Sequence, residues 1–99
     1  MPRKLPSLKA LRAFEAAARL SSFTQAADEL CVTHGAISQQ IRVLEDYFGQ
    51  PLFDRIHGKV VLNSAGLVLL PVISDSLDQI ETVSSKLKAG SGPEILTVN

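Results

Sequence analysis

The sequence predicts a mostly α-helical fold, with three short helices, a two-stranded hairpin and one long closing helix. Three observations predict it. Apolar residues recur at three-and-four spacing in four separate stretches, each introduced by a serine, threonine or asparagine able to cap a helix. The chain of 99 residues is 45% hydrophobic but only 5% aromatic and has no Trp, so its core draws on Leu, Ile, Val and Ala, which suits packed helices. Between the third and fourth stretches the pattern changes to two short apolar runs around a charged segment, the signature of a hairpin. A chain of this length makes one compact domain with a modest core.

Ser7 caps the first helix, in which Leu8, Leu11, Phe14 and Ala18 form the expected buried stripe, and which ends near Leu20. Ser21 and Ser22 break the periodicity and offer caps for a second, shorter helix. Its apolar positions are Phe23, Ala26, Ala27 and Leu30, and the two alanines imply close packing. Thr33 caps a third helix running to about Phe48, with Ile37, Ile41, Leu44 and Phe48 on one side, and Gly49 stops it. The segment Pro51 to Leu62 reads as a hairpin. Its runs, Leu52-Phe53 and Val60-Val61-Leu62, are separated by Asp54 to Lys59. Asn63 caps the last helix, from Ser64 to about Ala89. Leu70, Ile73, Leu77, Ile80, Val83 and Leu87 make its seam, close to that of a coiled coil. Pro71 removes one backbone donor, so a kink is expected near Leu67 to Leu70. Residues 90–93 are Gly-Ser-Gly-Pro, a linker. Ile95 to Val98 reads as the first strand of a second, absent domain.

The net charge is zero, which by itself argues against a nucleic-acid partner. The average conceals a gradient. Residues 1–22 carry Arg3, Lys4, Lys9, Arg12 and Arg19 against Glu15 alone, whereas residues 67–99 carry Asp75, Asp78, Glu81 and Glu94 against Lys86 and Lys88. One end is suited to DNA and the other lies away from it. The longest uncharged stretch, Val60 to Ser74, includes Asn63, Ser64 and Pro71 and is too short to span a membrane, and no signal-peptide pattern follows the basic start. A cytoplasmic protein without membrane contact is expected. Cys31 has no disulfide partner and no CxxC spacing; it is expected to be a small buried hydrophobe. No nucleophile-base pair, no paired carboxylates and no phosphate-cradling glycine loop are present, so the chain is not read as an enzyme. Nothing calls for a cofactor or metal, because His34 has no second His, Cys or carboxylate at ligand spacing and His57 alone means little.

Residues 23–42, FTQAADELCVTHGAISQQIR, carry the strongest functional signal: two helices of unequal length joined by a tight turn, the pattern of a helix-turn-helix. Ala27 is small where the helices cross, and Leu30 and Val32 bracket the turn and face the core. Cys31 takes the turn position often held by glycine. Ile37 and Ile41 anchor the second helix, leaving Gly35, Ser38, Gln39 and Arg42 outward. That set is rich in donors and acceptors and has a slender leading end able to enter a major groove. A hairpin tip bearing Arg55, His57 and Lys59 completes the plan of a winged helix, its wing on the DNA backbone or in the minor groove. The fold class is therefore a winged helix-turn-helix followed by a long dimerisation helix.

The stretches LRAFEAAARL at 11–20, SFTQAADEL at 22–30, VTHGAISQQIRVLEDYFG at 32–49, PLFDR at 51–55 and NSAG at 63–66 resemble the LysR-type transcriptional regulators in order and spacing. The opening and the VTH turn are most similar to the branch holding the β-lactamase, glycine-cleavage and tryptophan-synthase regulators. Two positions depart from the family. Asn63 replaces the usual threonine while keeping a capping oxygen, and Gly35 stands where proline or serine is frequent. The resemblance implies a bacterial regulator in which residues 1–63 form the DNA-binding domain, with the helix-turn-helix at 23–42 and the wing at 51–63. Residues 64–89 would form a linker helix making an antiparallel homodimer contact through Leu70, Ile73, Leu77, Ile80, Val83 and Leu87, and 90–99 a hinge leading to a missing effector domain of periplasmic-binding-protein type. It implies an interrupted palindromic operator in double-stranded DNA, a tetramer for the full-length protein, and a small-molecule effector bound only through that missing domain. Carried over by position, the DNA-contacting set is Thr33, His34, Gly35, Ala36, Ser38, Gln39 and Arg42 with Arg55, His57 and Lys59, while Ser22 and Thr24 become candidates for phosphate contacts at a helix N-terminus. The alternative is a winged-helix module that binds protein without DNA, which would show an apolar patch on the recognition face.

Overall fold

A side-chain oxygen starts every helix. In the computed structural model, which describes residues 5–90, Ser7 accepts from the Ala10 N–H at 3.1 Å, Ser22 from Gln25 at 3.0 Å, Thr33 from Ala36 at 3.0 Å and Asn63 from Gly66 at 3.0 Å. The four caps open α1 (Leu8–Leu20), α2 (Phe23–Leu30), α3 (His34–Phe48) and α4 (Ser64–Lys88), with strands β1 (Phe53–Ile56) and β2 (Lys59–Leu62) between the last two. The first three helices end on residues in the left-handed region, Ser21, Cys31 and Gly49. The strands pair antiparallel from Phe53 opposite Leu62 to Ile56 opposite Lys59. Residues 91–93 of the expected linker and the expected strand at 95–98 lie outside the described residues, as do Arg3 and Lys4.

α1 is the hub, packing on α2, α3, α4 and β2. That role corrects its expected stripe. Ala10, Ala13, Phe14, Ala16 and Ala17 are buried, Leu11 and Ala18 are partly so, and Leu8 is 55% exposed. Where a helix meets neighbours on several sides, backbones approach closely and alanine fits at the crossing points; leucine stands at the rim. Ala26, Ala27, Ile37, Ile41, Leu44, Leu52 and Ile73 complete the core. Phe48 does not extend the buried side of α3; it is exposed and meets Tyr47 edge-on, with centroids 5.0 Å apart.

The turn between α2 and α3 overturns two further expectations. Cys31 is exposed, with φ 59°, and its N–H closes α2 on the Ala27 and Asp28 carbonyls. The left-handed backbone of a helix C-cap carries its side chain away from the core. Val32, one residue on, is likewise exposed, and only Leu30 is partly buried.

The joint between wing and α4 is tight. Asn63 Nδ2 donates to the Pro51 carbonyl at 2.8 Å, the Asn63 N–H donates to the Leu52 carbonyl at 3.0 Å, and the Glu45 carboxylate accepts from the Leu52 N–H at 2.8 Å. From this joint α4 runs as one element through Pro71. The proline takes away one backbone donor without ending the helix, and its ring lies in solvent. At about 1.5 Å per residue, α4 alone accounts for most of the 51 Å long axis of the molecule.

Candidate nucleic-acid interface

The outward face of α3 is set by what its inner face buries. Ile37, Ile41 and Leu44 are each 3% exposed or less, and at 100° per residue the opposite line runs through Gly35, Gln39, Arg42 and Asp46. Thr33, His34, Gly35, Gln39 and Arg42 are exposed. Ser38 and Ala36 are partly buried, one on each edge of this line. Ser38 faces the wing, sharing a cleft of about 240 Å³ with Phe23, Arg42, Glu45 and Arg55. Ala36 faces α1, in a depression with Lys9, Arg12, Val32 and Gln40. From His34 through Arg42 the face carries no exposed large hydrophobic side chain; the exposed Val43 and Tyr47 lie beyond.

The wing is tighter than its sequence suggests. Pairing continues to Ile56 opposite Lys59, so the loop is only His57-Gly58, with φ of 51° and 77°. Positive φ at both central residues is the mark of a type I′ hairpin, whose twist suits the strands it joins. His57 and Lys59 occupy the tip and are exposed, but Arg55 does not share that position. Strand alternation puts Arg55 on the same side as Phe53, and its guanidinium carbon lies 5.5 Å from the centroid of the Phe23 ring. Alternation from Phe53 is the signal in the sequence that locates Arg55. The role of Phe23 beside it has no such signal. Lys59 lines a second cleft, of about 320 Å³, with Ser22, Thr24 and His34. Every candidate DNA-binding residue except Ala36 thus lies on the recognition face, on the wing or in the two clefts between them.

One cation of the N-terminal segment is already spent. Arg19 donates to the Glu15 carboxylate at 2.8 and 3.2 Å and to both oxygens of Glu29, one at 3.0 Å and one closer. Those bonds, Glu15 first, hold the guanidinium above its usual pKa, and the bond from Arg19 holds Glu29 below the usual carboxylate range. The pair fastens α1 to α2. Arg42, Arg55 and Lys59 are in no ion pair among the described residues, so the recognition side keeps unpaired cations although the chain is neutral.

α4 divides its seam between two uses. Ile73 is buried and Leu70 and Leu77 are packed on the domain's own core, whereas Ile80, Val83 and Leu87 are 56%, 47% and 44% exposed. Val68 and Val72, absent from the expected seam, are 77% and 64% exposed. The seven-residue pattern drifts around the helix, so residues aligned in the sequence face the core at one end and solvent at the other. No described helix is long and apolar enough to cross a membrane.

Residues 8–67 match the family described as bacterial regulatory helix-turn-helix proteins of the lysR family. The chain is 50% identical over 96 residues to the HTH-type transcriptional activator AmpR of Providencia stuartii, covering 97% of this chain and 32% of that protein. It is 43% identical over 99 residues to the glycine cleavage system transcriptional activator of Escherichia coli K12, covering 100% of this chain and 32% of that one. Among solved structures it is similar to the DNA-binding domain of BenM in complex with catB site 1 DNA. The TM-score there is 0.76 and the identity 31%, over 84% of this chain and 92% of that one. The chain thus spans about a third of the length of the curated relatives it matches.

Proposed function

Because the chain belongs to the LysR family of bacterial regulatory helix-turn-helix proteins, we propose that it binds double-stranded DNA sequence-specifically, as a homodimer, in transcription regulation. α3 enters the major groove and the hairpin lies on the backbone or in the minor groove. The observation that carries this reading is the face of α3, which has Gly35 at its slender front, Gln39 and Arg42 exposed behind it, and unpaired cations on the adjoining wing. Gln39 and Ser38 are the base readers. Thr33, His34, Gly35, Ala36 and Arg42 line the groove, Ser22 and Thr24 meet phosphates, and Arg55, His57 and Lys59 supply wing contacts. The absence of exposed large hydrophobic side chains from His34 to Arg42 disfavours a protein partner on this face.

The apolar side chains left in solvent on α4 support dimerisation. A two-fold antiparallel pairing centred between Leu77 and Asp78 sets Val72 against Val83 and Val68 against Leu87 of a second copy, the self-complementary arrangement a two-fold interface requires. Residues 1–63 then form the DNA-binding domain, 64–89 the dimerisation helix and 90–99 a hinge. For the whole protein we extend the reading to an interrupted palindromic operator, a tetramer, a small-molecule effector held by a separate C-terminal domain, and a cytoplasmic location.

Selection from a random pool of duplex DNA tests the proposal. Enrichment of one motif of two inverted half-sites is expected; recovery of the starting pool unchanged, round after round, would reject sequence-specific binding.

A further inference from the structure

We propose that Phe23 is a positioning residue for DNA binding, its ring holding the Arg55 guanidinium of the wing and the His34 imidazole of the recognition helix in a fixed relation to each other. Phe23 opens α2 directly after the Ser22 cap and is partly buried. Its ring is itself held in place: Phe53 meets it edge-on with centroids 5.6 Å apart, and Phe53 in turn packs on the buried Phe14 at 5.5 Å. Two groups lie against the locked ring. Arg55 sits over its face with the guanidinium carbon 5.5 Å from the centroid, within the range of a cation–π contact. His34, first residue of α3, has its ring centroid 6.1 Å away.

The arrangement answers a physical need of the wing. Arg55 is exposed and forms no ion pair among the described residues, so without the ring its long side chain would sample many rotamers and lose that freedom on meeting DNA. Glu45, which lines the same cleft, has its carboxylate committed to the Leu52 N–H. A ring face that orders the guanidinium in the free protein reduces the entropy lost on binding. An aliphatic side chain fills the volume of Phe23 but offers no such face. The inference rests on the reading that the wing contacts DNA, and its test separates the two.

The test is a double-mutant cycle on the duplex recovered by selection, with Phe23→Leu, Arg55→Ala and the double variant measured over a range of salt. Phe23→Leu is expected to weaken binding about two- to five-fold, the range that an exposed cation–π contact supports. Arg55→Ala should weaken binding and flatten the salt dependence. In the double variant Phe23→Leu should cost clearly less than it does alone, only the His34 contact remaining to be lost, and Phe23→Tyr should bind like the wild type. Thermal unfolding of each variant controls for the fold, and Phe23→Met replaces Phe23→Leu if the latter does not fold. If both single variants weaken binding and their effects add, the wing reading stands and the positioning role is overturned. If Phe23→Leu binds like the wild type, the positioning role is overturned as well. If Arg55→Ala changes neither affinity nor salt slope, the reading that Arg55 contacts DNA falls, and its positioning by Phe23 falls with it.

Discussion

A Cβ at Gly66 would lie 2.5 Å from the Leu52 carbonyl oxygen and 2.6 Å from Leu62 Cδ2, and no rotamer change relieves a clash with backbone. Alanine improves a helix interior over glycine by about 0.5–1 kcal/mol, but overpacking of this kind costs about 1–3 kcal/mol. Gly66→Ala therefore lowers the midpoint of thermal unfolding. At Gly35, in the first turn of α3, the nearest neighbour of a Cβ is Thr33 Oγ1 at 4.0 Å, so Gly35→Ala meets no clash and is expected to unfold no lower than the wild type. Calorimetry of both variants decides the matter; a Gly66→Ala domain as stable as the wild type would contradict the tight joint. Gln39 carries the sharpest functional prediction at this scale. Its amide donates and accepts at once, matching the adenine edge, and a good bidentate pair discriminates by about 1–3 kcal/mol. Gln39→Ala should reorder affinities across single-base variants of the selected duplex. A uniform scaling of all of them would leave Gln39 as a phosphate contact only. Residue types foretell these positions unevenly. The cap oxygens of Ser7, Ser22, Thr33 and Asn63 are legible in the sequence because capping is local, whereas the exposure of Cys31 is not, because its composition favours the core and its left-handed backbone decides otherwise.

At the scale of elements, every helix is legible within about one residue, since each has both a cap and an apolar period. The faces are less so. Leucine dominates the pattern of α1 while alanine occupies its crossings, and period alone does not tell which neighbour a side will meet. The hairpin is legible between residues 51 and 62, but Asp54 to Lys59 reads as a loop because charged residues populate a strand with little buried surface. Its true geometry separates the wing residues into two roles, Lys59 and His57 at the tip and Arg55 against Phe23. Both Arg55 and Lys59 are expected to neutralise phosphates, so alanine at either weakens binding to all duplexes. Each substitution should lower the slope of log affinity against log salt by about one unit for every phosphate no longer neutralised. Titrations at several salt concentrations check this, and an unchanged slope for Arg55→Ala and Lys59→Ala would remove the wing from the interface.

Over the whole molecule, a neutral chain keeps unpaired cations on its recognition side, since Arg19 is paired with Glu15 and Glu29 while Arg42, Arg55 and Lys59 are in no ion pair among the described residues. Counting charges along the chain reveals the gradient but not the pairing, which depends on α1 lying beside α2. The seam of α4 is legible as an apolar repeat, but its division between core and solvent follows from how the drifting repeat packs on the domain's core. Val68 and Val72 emerge only from that packing. A second copy covering these residues would fix the spacing of two recognition helices, and with it the architecture of the DNA site. Val72→Asp buries an unpaired carboxylate in such an interface and should leave the domain folded but monomeric at tens of micromolar. Dimeric binding to two half-sites is therefore put at risk most sharply by a footprint on the selected duplex, wild type beside Val72→Asp. Two protected half-sites are expected, their centres about one helical turn, near 10 base pairs, or a whole multiple of it apart, with both lost together in Val72→Asp at the concentration that saturates the wild type. A single protected half-site, or a pair that persists unchanged in Val72→Asp, would contradict dimeric binding through α4.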